Sequence, residues 1–484
     1  MGIEGFWQIA SKAAQPMSFK YLNAELMNRN VGNPKPMVVG VDACLWLTQC
    51  QAVFHKPHHA QLGRNPELRA LFHKLAALND AGVTAVFVFD GSNRPSVKRN
   101  KNVRSQPHWL VKEFQEMIAL YGFYTHTAPG EAEAELALLN RLQHIDAVLT
   151  DDGDAAVFGA SRIIRTLNKK NKDEITVYTS ENLQSNSHVG LTTGGILLLA
   201  ILAGGDYDTA GLPNCGFNIA HALARGGYGD SLLNAVQNLD EHHLYKFLGH
   251  WREQLREELR TNSQGYLKNK QKILSTKIPD TFPSIRVLRL YAQPITSWSE
   301  GFTAPNVNHW VVKLPSLPEL ALFCKTKFGW TPIDIAGKFK RFIFPGVCVR
   351  RLTLPFNLDE HLRDHVVFGR VQDEHPPLSA FLSIIAHDED AARYKMKINI
   401  GGLSVWTLMR LDAPASAAGS AGACIECWMP ACLIQHYFPS MVGRLHSAQS
   451  SAPTTMPADC FATPCDPGQK TWLGFIDLTK DDIE

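Results

Sequence analysis

Three apolar runs in the first third of the chain each stop on an aspartate. Residues 37–42 read MVVGVD and end on Asp42. Residues 85–91 read AVFVFDG and end on Asp90 and Gly91. Ala147, Val148 and Leu149 run into Thr150-Asp151-Asp152-Gly153-Asp154. Short β-prone runs of this kind fit strands buried on both faces of a parallel sheet. In an open α/β sheet the C-terminal ends of such strands gather at one edge, where ligands bind. The pattern therefore predicts an α/β fold, with a mostly parallel central sheet flanked by helices and acids collected along one edge.

More acids occupy similar settings. Asp206 closes the apolar segment 194–206, GGILLLAILAGGD, whose periodicity fits a strand or a buried helix equally. Residues 128–142, APGEAEAELALLNRL, predict a helix opened by Pro129 and Gly130, with Glu131, Glu133 and Glu135 in its first turn. Acids there suit the helix dipole on structural grounds alone. Helical spacing pairs Glu131 with Glu135, whereas Glu131 and Glu133 point the same way only if Glu131 sits at the cap. Spacing leaves both pairs open.

Carboxylates brought together from these segments repel one another unless cations lie among them. Hard oxygen donors of this type suit Mg²⁺ or Mn²⁺ rather than Zn²⁺. Two such ions can activate water and stabilise the leaving oxygen of a phosphodiester. Directly after the Asp90 strand come Arg94, Lys98, Arg99, Lys101 and Arg104, in a stretch without an acid. Basic groups so placed can hold a phosphate backbone beside the carboxylates. Charge placement thus points to a metal-dependent nuclease. An Asp-x-Asp phosphatase is disfavoured, because Ala43 and Cys44 follow Asp42.

The formal net charge of +2 is too small for nucleic-acid binding by overall charge, so local patches must supply it. At 484 residues the length allows two or three domains. Glu4 interrupts any signal peptide, and the ten cysteines read as reduced thiols of an intracellular protein. The run Ile196 to Ala203 is too short to cross a bilayer. Residues 43–80 predict helix interrupted by a loop at His55–His59. Residues 211–224, GLPNCGFNIAHALA, predict a glycine-bearing turn leading into a helix, whose first amides can bind phosphate. Residues 251–274 and 313–352 also read as helical.

Six ordered motifs, MGIEGFW, VDA, VFVFDG, APGEAEAELA, TDDGDAAVFG and AGGDY, resemble the flap-endonuclease/XPG superfamily of structure-selective nucleases over roughly residues 1–355. The resemblance implies that Asp42, Asp90, Glu131, Glu133, Asp152, Asp154 and Asp206 are the metal-site acids, which selects Glu133 over Glu135. It places Asp151 outside the metal shell and Gly2 near the site as a DNA-binding residue. It makes Lys98 and Arg99 catalytic helpers and assigns Arg94, Lys98 and Arg99 to a basic gateway helix on DNA, with Lys101 and Arg104 of the same run also expected to bind DNA. Residues near 205–235 would form a helix–two-turn–helix, with Gly211, Gly216 and Asn218 near duplex DNA and often a K⁺ ion. Asn214 stands where the family's G-x-G-x-x-x-A pattern has its first glycine.

Asp90 and Glu131 are only 41 positions apart. That spacing resembles the GEN/Yen-type Holliday junction resolvases rather than the branches with a longer arch. The resemblance implies cutting of four-way junctions and 5′ flaps, a dimer on the junction and a nuclear location. Rival readings are a 5′-flap endonuclease that does not resolve junctions and a catalytically silent DNA-binding scaffold.

From about 356 to 445 the texture becomes β-rich, with FGRVQ, AFLSIIA, YKMKINI and LSVWTLMRL as alternating stretches and 427–442 as a closing helix. Its place resembles that of a separate chromodomain in the resolvase group. Trp406, Trp428 and Phe368 are read as core aromatics rather than a cage. Residues 413–422 read as a flexible insertion, and 446–470 as disordered from their Ser, Pro and Thr content. Cys424-x-x-Cys427 is an incomplete zinc pattern. Within the tail 446–484, Ile476-Asp477-Leu478-Thr479, followed by acids, resembles a SUMO-interacting motif able to add a strand to a partner's sheet.

Overall fold

The computed structural model describes residues 2–29, 35–51, 63–103, 108–166, 174–354, 381–389, 392–411 and 424–450. In chain order the strands are β1 (Gln15–Ser18), β2 (Val38–Asp42), β3 (Thr84–Phe89), β4 (Val97–Lys98), β5 (Lys101–Asn102), β6 (Tyr124–Thr127), β7 (Ala147–Leu149), β8 (Arg162–Arg165), β9 (Glu174–Thr179), β10 (Phe381–Asp388), β11 (Arg393–Asn399) and β12 (Cys424–Pro430). A seven-stranded sheet runs β1-β9-β8-β7-β2-β3-β6. The strands β8, β7, β2, β3 and β6 are mutually parallel, and β9 runs against β8 and β1.

Side chains alternate between two cores, one on each face of this sheet. On β3, Ala85, Phe87 and Phe89 join one core, while Val86 and Val88 join the other. The first core is closed by helices Ala43–Gln51, Pro66–Asp80, Val111–Leu120 and Leu317–Phe328. The second is closed by helices Ala132–Arg141, Thr193–Ala203 and Glu241–Thr261. The parallel strands β2, β3 and β7 therefore finish side by side, and the residues just past them share one edge of the sheet.

The ambiguous segment 194–206 is a helix, Thr193–Ala203. The Thr192 hydroxyl caps it by accepting from the Gly195 amide at 2.9 Å, and its sides are buried almost all round. Strands β1, β6, β8 and β9 gave little signal in the sequence. The His55–His59 loop lies outside the described residues.

The basic gateway helix expected after Asp90 is absent from the described residues. In its place β4 and β5 form a hairpin, with Val97 opposite Asn102 and Lys98 opposite Lys101. The two turn residues, Arg99 (φ 50°) and Asn100 (φ 57°), are both left-handed, the requirement of the two-residue turn that matches strand twist. Pro95 and the short polar residues Ser92 and Asn93 disfavour helix before it.

In the C-terminal part β10, β11 and β12 form an antiparallel three-stranded sheet. Three expectations change here. LSVWTLMRL lies mainly in a helix, Gly401–Leu408, rather than a strand. Residues 427–430 belong to β12, and the closing helices are Ala431–Tyr437 and Pro439–Ser450, the second reaching into the stretch read as disordered. The module is also not separate. Tyr394, Met396 and Met429 lie in one continuous core with Phe344 and Val347 of helix Phe344–Leu352 and with Phe19 and Leu22. Cys424 and Cys427 are three residues apart on one strand, so they face opposite sides of the sheet and cannot chelate together. Phe368 lies outside the described residues, Trp406 packs against the core, and Arg393 stacks on Trp428 at 4.8 Å.

Candidate active site

Each acid is placed by a strand or helix end. Asp42 is the last residue of β2, and its Oδ1 accepts from the Leu45 amide at 2.9 Å. Asp90 follows β3. Its Oδ1 accepts from the Ala132 amide at 2.9 Å, which ties the end of β3 to the helix that carries Glu131 and Glu133. The two loops touch at backbone level, with the Gly91 amide donating to Gly130 O at 2.7 Å. A Cβ on Gly91 would stand 1.9 Å from Ala128 O, so only glycine permits this approach. Glu131 is the N-cap of helix Ala132–Arg141, the position that lets Glu131 and Glu133 face the same way. Asp152 and Asp154 follow β7, and the Asp154 amide donates to Asp152 Oδ1 at 3.2 Å.

Glu135 belongs elsewhere. It is fully buried, with His126 Nε2 at 2.9 Å and the Ser297 amide at 2.9 Å on its two oxygens. The choice between the two glutamate pairs therefore falls on Glu131 with Glu133. Asp151 also turns away, to Gln49 at 3.0 Å and Arg165 at 3.4 Å.

The hairpin lies across this edge. Lys98 Nζ contacts Glu131 Oε1 and stands 3.6 Å from Asp206 Oδ2. Arg99 Nε donates to Asp206 Oδ1 at 2.6 Å, and its amide donates to Asp206 O at 2.7 Å. Arg94 pairs with Asp90 at 2.9 Å. Lys101 is exposed on the outer strand, and Arg104 lies outside the described residues. Two tyrosines that had drawn no role complete the frame. Tyr207 donates to Glu131 Oε2, and the Tyr291 hydroxyl accepts from the Asp206 amide at 3.0 Å. Tyr207 directly follows Asp206 in the quoted AGGDY motif. Tyr291 carried no signal.

Among the described residues, Asp42, Glu133, Asp152 and Asp154 make no ion pair. Burial pushes the Asp42 carboxyl up to about 7, helped by Asp90 and Asp152. Burial, with the surrounding acids, also holds Glu133 and Asp154 well above the carboxylate range, and it raises Asp152. Burial acts to lower the Lys98 ammonium, yet Glu133, Glu131, Tyr207 and Asp154 hold it above its usual value. Both Asp154 oxygens are buried without a hydrogen-bond partner. Gly2 (φ 78°) closes the cluster from the other side, where a Cβ would come within 2.8 Å of Asp152 Oδ1 and 3.0 Å of Asp154 Oδ1.

In this conformation no three described Asp, Glu, His or Cys side chains are drawn close enough to hold a metal ion. The basic hairpin stands among the carboxylates instead. The donor set still fits a hard divalent cation. It is all oxygen, two of its oxygens lack a hydrogen-bond partner, and four of its acids are buried without an ion pair among the described residues.

Comparison with known proteins follows the same outline. The XPG N-terminal domain matches residues 1–108, and the XPG I-region matches residues 122–206. Over those residues the chain is similar to the XPG nucleases. Proteins similar to it include mouse "Flap endonuclease GEN homolog 1" (Mus musculus), 30% identical over a 254-residue alignment that covers 48% of this chain and 26% of that protein. "DNA repair protein RAD2" of Saccharomyces cerevisiae is 31% identical over 222 residues, 46% of this chain and 19% of that protein. The chain thus matches about a quarter of the length of the GEN homologues of mouse and human. A solved structure described as the Holliday junction-resolving enzyme GEN1 with product DNA and a Mg²⁺ ion superposes with a TM-score of 0.68. It is 25% identical and covers 93% of this chain and 100% of that one.

The turn that the family pattern places on duplex DNA lies between helices Thr193–Ala203 and Phe217–Ala224. Gly211 is left-handed (φ 59°), Gly216 is the N-cap of the second helix, and Asn218 is exposed in its first turn. Asn214, in place of the family's glycine, takes φ 66°, a conformation Asn tolerates and β-branched residues do not. The turn therefore keeps its path. Asn214→Gly should leave the melting temperature nearly unchanged, whereas Asn214→Val should cost about 1–2 kcal/mol in denaturant unfolding. Equal stability of the two variants would show that the left-handed turn is not required.

Proposed function

We propose that this chain is a Mg²⁺-dependent, structure-selective endonuclease that hydrolyses phosphodiesters in branched DNA, resolving four-way junctions by paired nicks and cutting 5′ flaps. The observation that carries the reading is the buried acid cluster at one sheet edge, with Asp154 unsatisfied and a basic hairpin laid over it. The GEN-type relatives, and the GEN1 structure with product DNA and Mg²⁺, support it.

Asp42, Asp90, Glu131, Glu133, Asp152, Asp154 and Asp206 would hold two Mg²⁺ ions, for which Mn²⁺ can substitute. Such ions, when bound, supply a water of lowered pKa and neutralise charge on the leaving oxygen. The chain's own groups do the positioning. Glu131 at the helix cap is oriented by Tyr207, and Asp206 by Tyr291. Lys98 and Arg99, already within reach of the acids, are the cations able to turn to a phosphate once the carboxylates are otherwise satisfied. Arg94 and Lys101 extend that hold along the strand. The free amides at Gly216, Phe217 and Asn218 suit a duplex phosphate some distance away, with K⁺ as an accessory ion at that turn.

The three-stranded sheet at β10–β12 with its closing helices supports the reading of a chromodomain-like second DNA contact. The SUMO-interacting stretch Ile476–Thr479 lies outside the described residues and is proposed from its sequence. So are the dimer on a junction and a nuclear address, which follow from the resolvase reading.

A supercoiled plasmid extruding a cruciform tests the whole. With Mg²⁺ the chain should give linear product, which needs two coordinated cuts, and with EDTA none. Open circles alone would instead favour a flap endonuclease without junction resolution. Intact plasmid and intact synthetic forks in Mg²⁺ would leave only a binding scaffold.

A further inference from the structure

A cleft of about 490 Å³ adjoins the acid cluster, with Glu131 and Tyr207 in its lining. Its outer walls come from helices Glu241–Thr261 and Ile285–Ala292 and from the segment that follows them. The longer helix packs through Leu244, Leu248 and Trp251, so its neighbour Tyr245 falls on the open side, 59% exposed. Arg286 and Arg289, three positions apart on the shorter helix, share a face at the rim. Ile295, 41% exposed, adds an apolar wall. Glu241 is the acid of the rim and is paired with Arg289 at 3.4 Å, while the charge of Glu131 is met by Lys98.

An exposed ring, an apolar wall and two guanidinium groups around a cleft of this volume match a base, a sugar and a phosphate, not a duplex. We propose that the cleft receives one unpaired nucleotide adjacent to the phosphate being cut, its base against Tyr245 and its phosphate on Arg286 and Arg289. The inference rests on the endonuclease reading and names where the strand leaving the acid cluster goes. It accounts for the presence of Glu131 and Tyr207 in the lining of the cleft. A nucleotide taken out of the helical stack needs a surface to replace its lost stacking, and an aromatic face supplies one.

The test uses 5′-flap DNA carrying 2-aminopurine at one of the first unpaired positions, bound to the full chain in EDTA, with anisotropy to follow binding. One position should change in fluorescence, Tyr245→Phe should keep the change, and Tyr245→Ala should lose it. In Mg²⁺, Tyr245→Ala should lower kcat/KM about tenfold on intact flap. It should do so far less on a flap that is abasic at the responding position. An aminopurine signal indifferent to Tyr245→Ala, or an equal loss on the abasic flap, would overturn the inference while leaving cleavage by the parent chain, and hence the endonuclease reading, intact. A Tyr245-dependent signal without cleavage in Mg²⁺ would do the reverse. A chain that neither binds nor cuts branched DNA would end both.

Discussion

Asp42→Asn should cut no branched DNA in Mg²⁺, a loss of roughly a thousandfold or more, and should nevertheless melt at a higher temperature than the parent chain in EDTA at pH 7.5. The two effects have one cause. Asp42 is buried beside Asp90 and Asp152 without an ion pair, and its carboxyl is pushed up to about 7 from an ordinary 3.8. Removing its charge removes a repulsion and, on the reading proposed above, a metal ligand. The sign with pH follows. Between about pH 4 and 7 the folded chain holds a proton that the unfolded chain releases, so this group's contribution to stability is full below that window and is lost as pH rises through it. Metal-free protein should therefore be more stable at pH 5.5 than at pH 8, with Mg²⁺ narrowing the gap. Scanning fluorimetry across pH, with and without Mg²⁺, measures this. If Asp42→Asn is no more stable than the parent in EDTA at pH 7.5, the carboxylates are not crowded in the way described.

Lys98→Met should move stability the other way. The Lys98 ammonium touches Glu131 and stands near Asp206, and Glu133 and Asp154 act on it as well. Its loss strips the cluster of its built-in counter-charge and leaves buried carboxylates unpaired, which costs about 3 kcal/mol. In EDTA the variant should unfold at distinctly lower denaturant, and saturating Mg²⁺ should recover most of the difference. Cleavage should fall about a hundredfold even when folding is restored, because the phosphate loses its cation. A variant as stable as the parent in EDTA would show that Lys98 is not the group balancing the acids. Asp42 and Lys98 together give opposite signs in metal-free melting and the same sign in cleavage, a combination that general damage to the fold does not produce.

Much of this site is legible before any coordinates, because the acids close strands whose apolar pattern is unmistakable. Val38–Asp42, Thr84–Phe89 and Ala147–Leu149 are continuous hydrophobic runs, and parallel pairing alone brings their ends together. Glu133 against Glu135 was not decidable by spacing. It turned on Glu131 standing at the helix cap and on His126 and Ser297 claiming Glu135, both long-range facts. The basic run after Asp90 looked helical by family analogy, whereas two left-handed residues, Arg99 and Asn100, fold it into a hairpin. Tyr291 was invisible because its role lies 85 positions from Asp206. Edge strands such as β1 and β6, half exposed and mixed in composition, carry too weak an alternation to stand out. The helix Gly401–Leu408 shows the opposite error: Val, Trp and Thr read as strand, and packing against helices Leu317–Phe328 and Pro332–Phe342 overrides that preference.

Arg350 sits wholly inside the protein, donating to Tyr121 O at 2.7 Å and Gly122 O at 3.1 Å. The helix that bears it also fills the seam beneath β10–β12. The C-terminal sheet is thereby bolted to the same framework that aims the acids. If that sheet holds DNA as proposed above, a grip mounted in that way would behave as a caliper. A duplex seated there would meet the proposed cutting edge at one set reach, so the position of a nick would be dictated by distance from the branch and would be indifferent to the letters of the sequence.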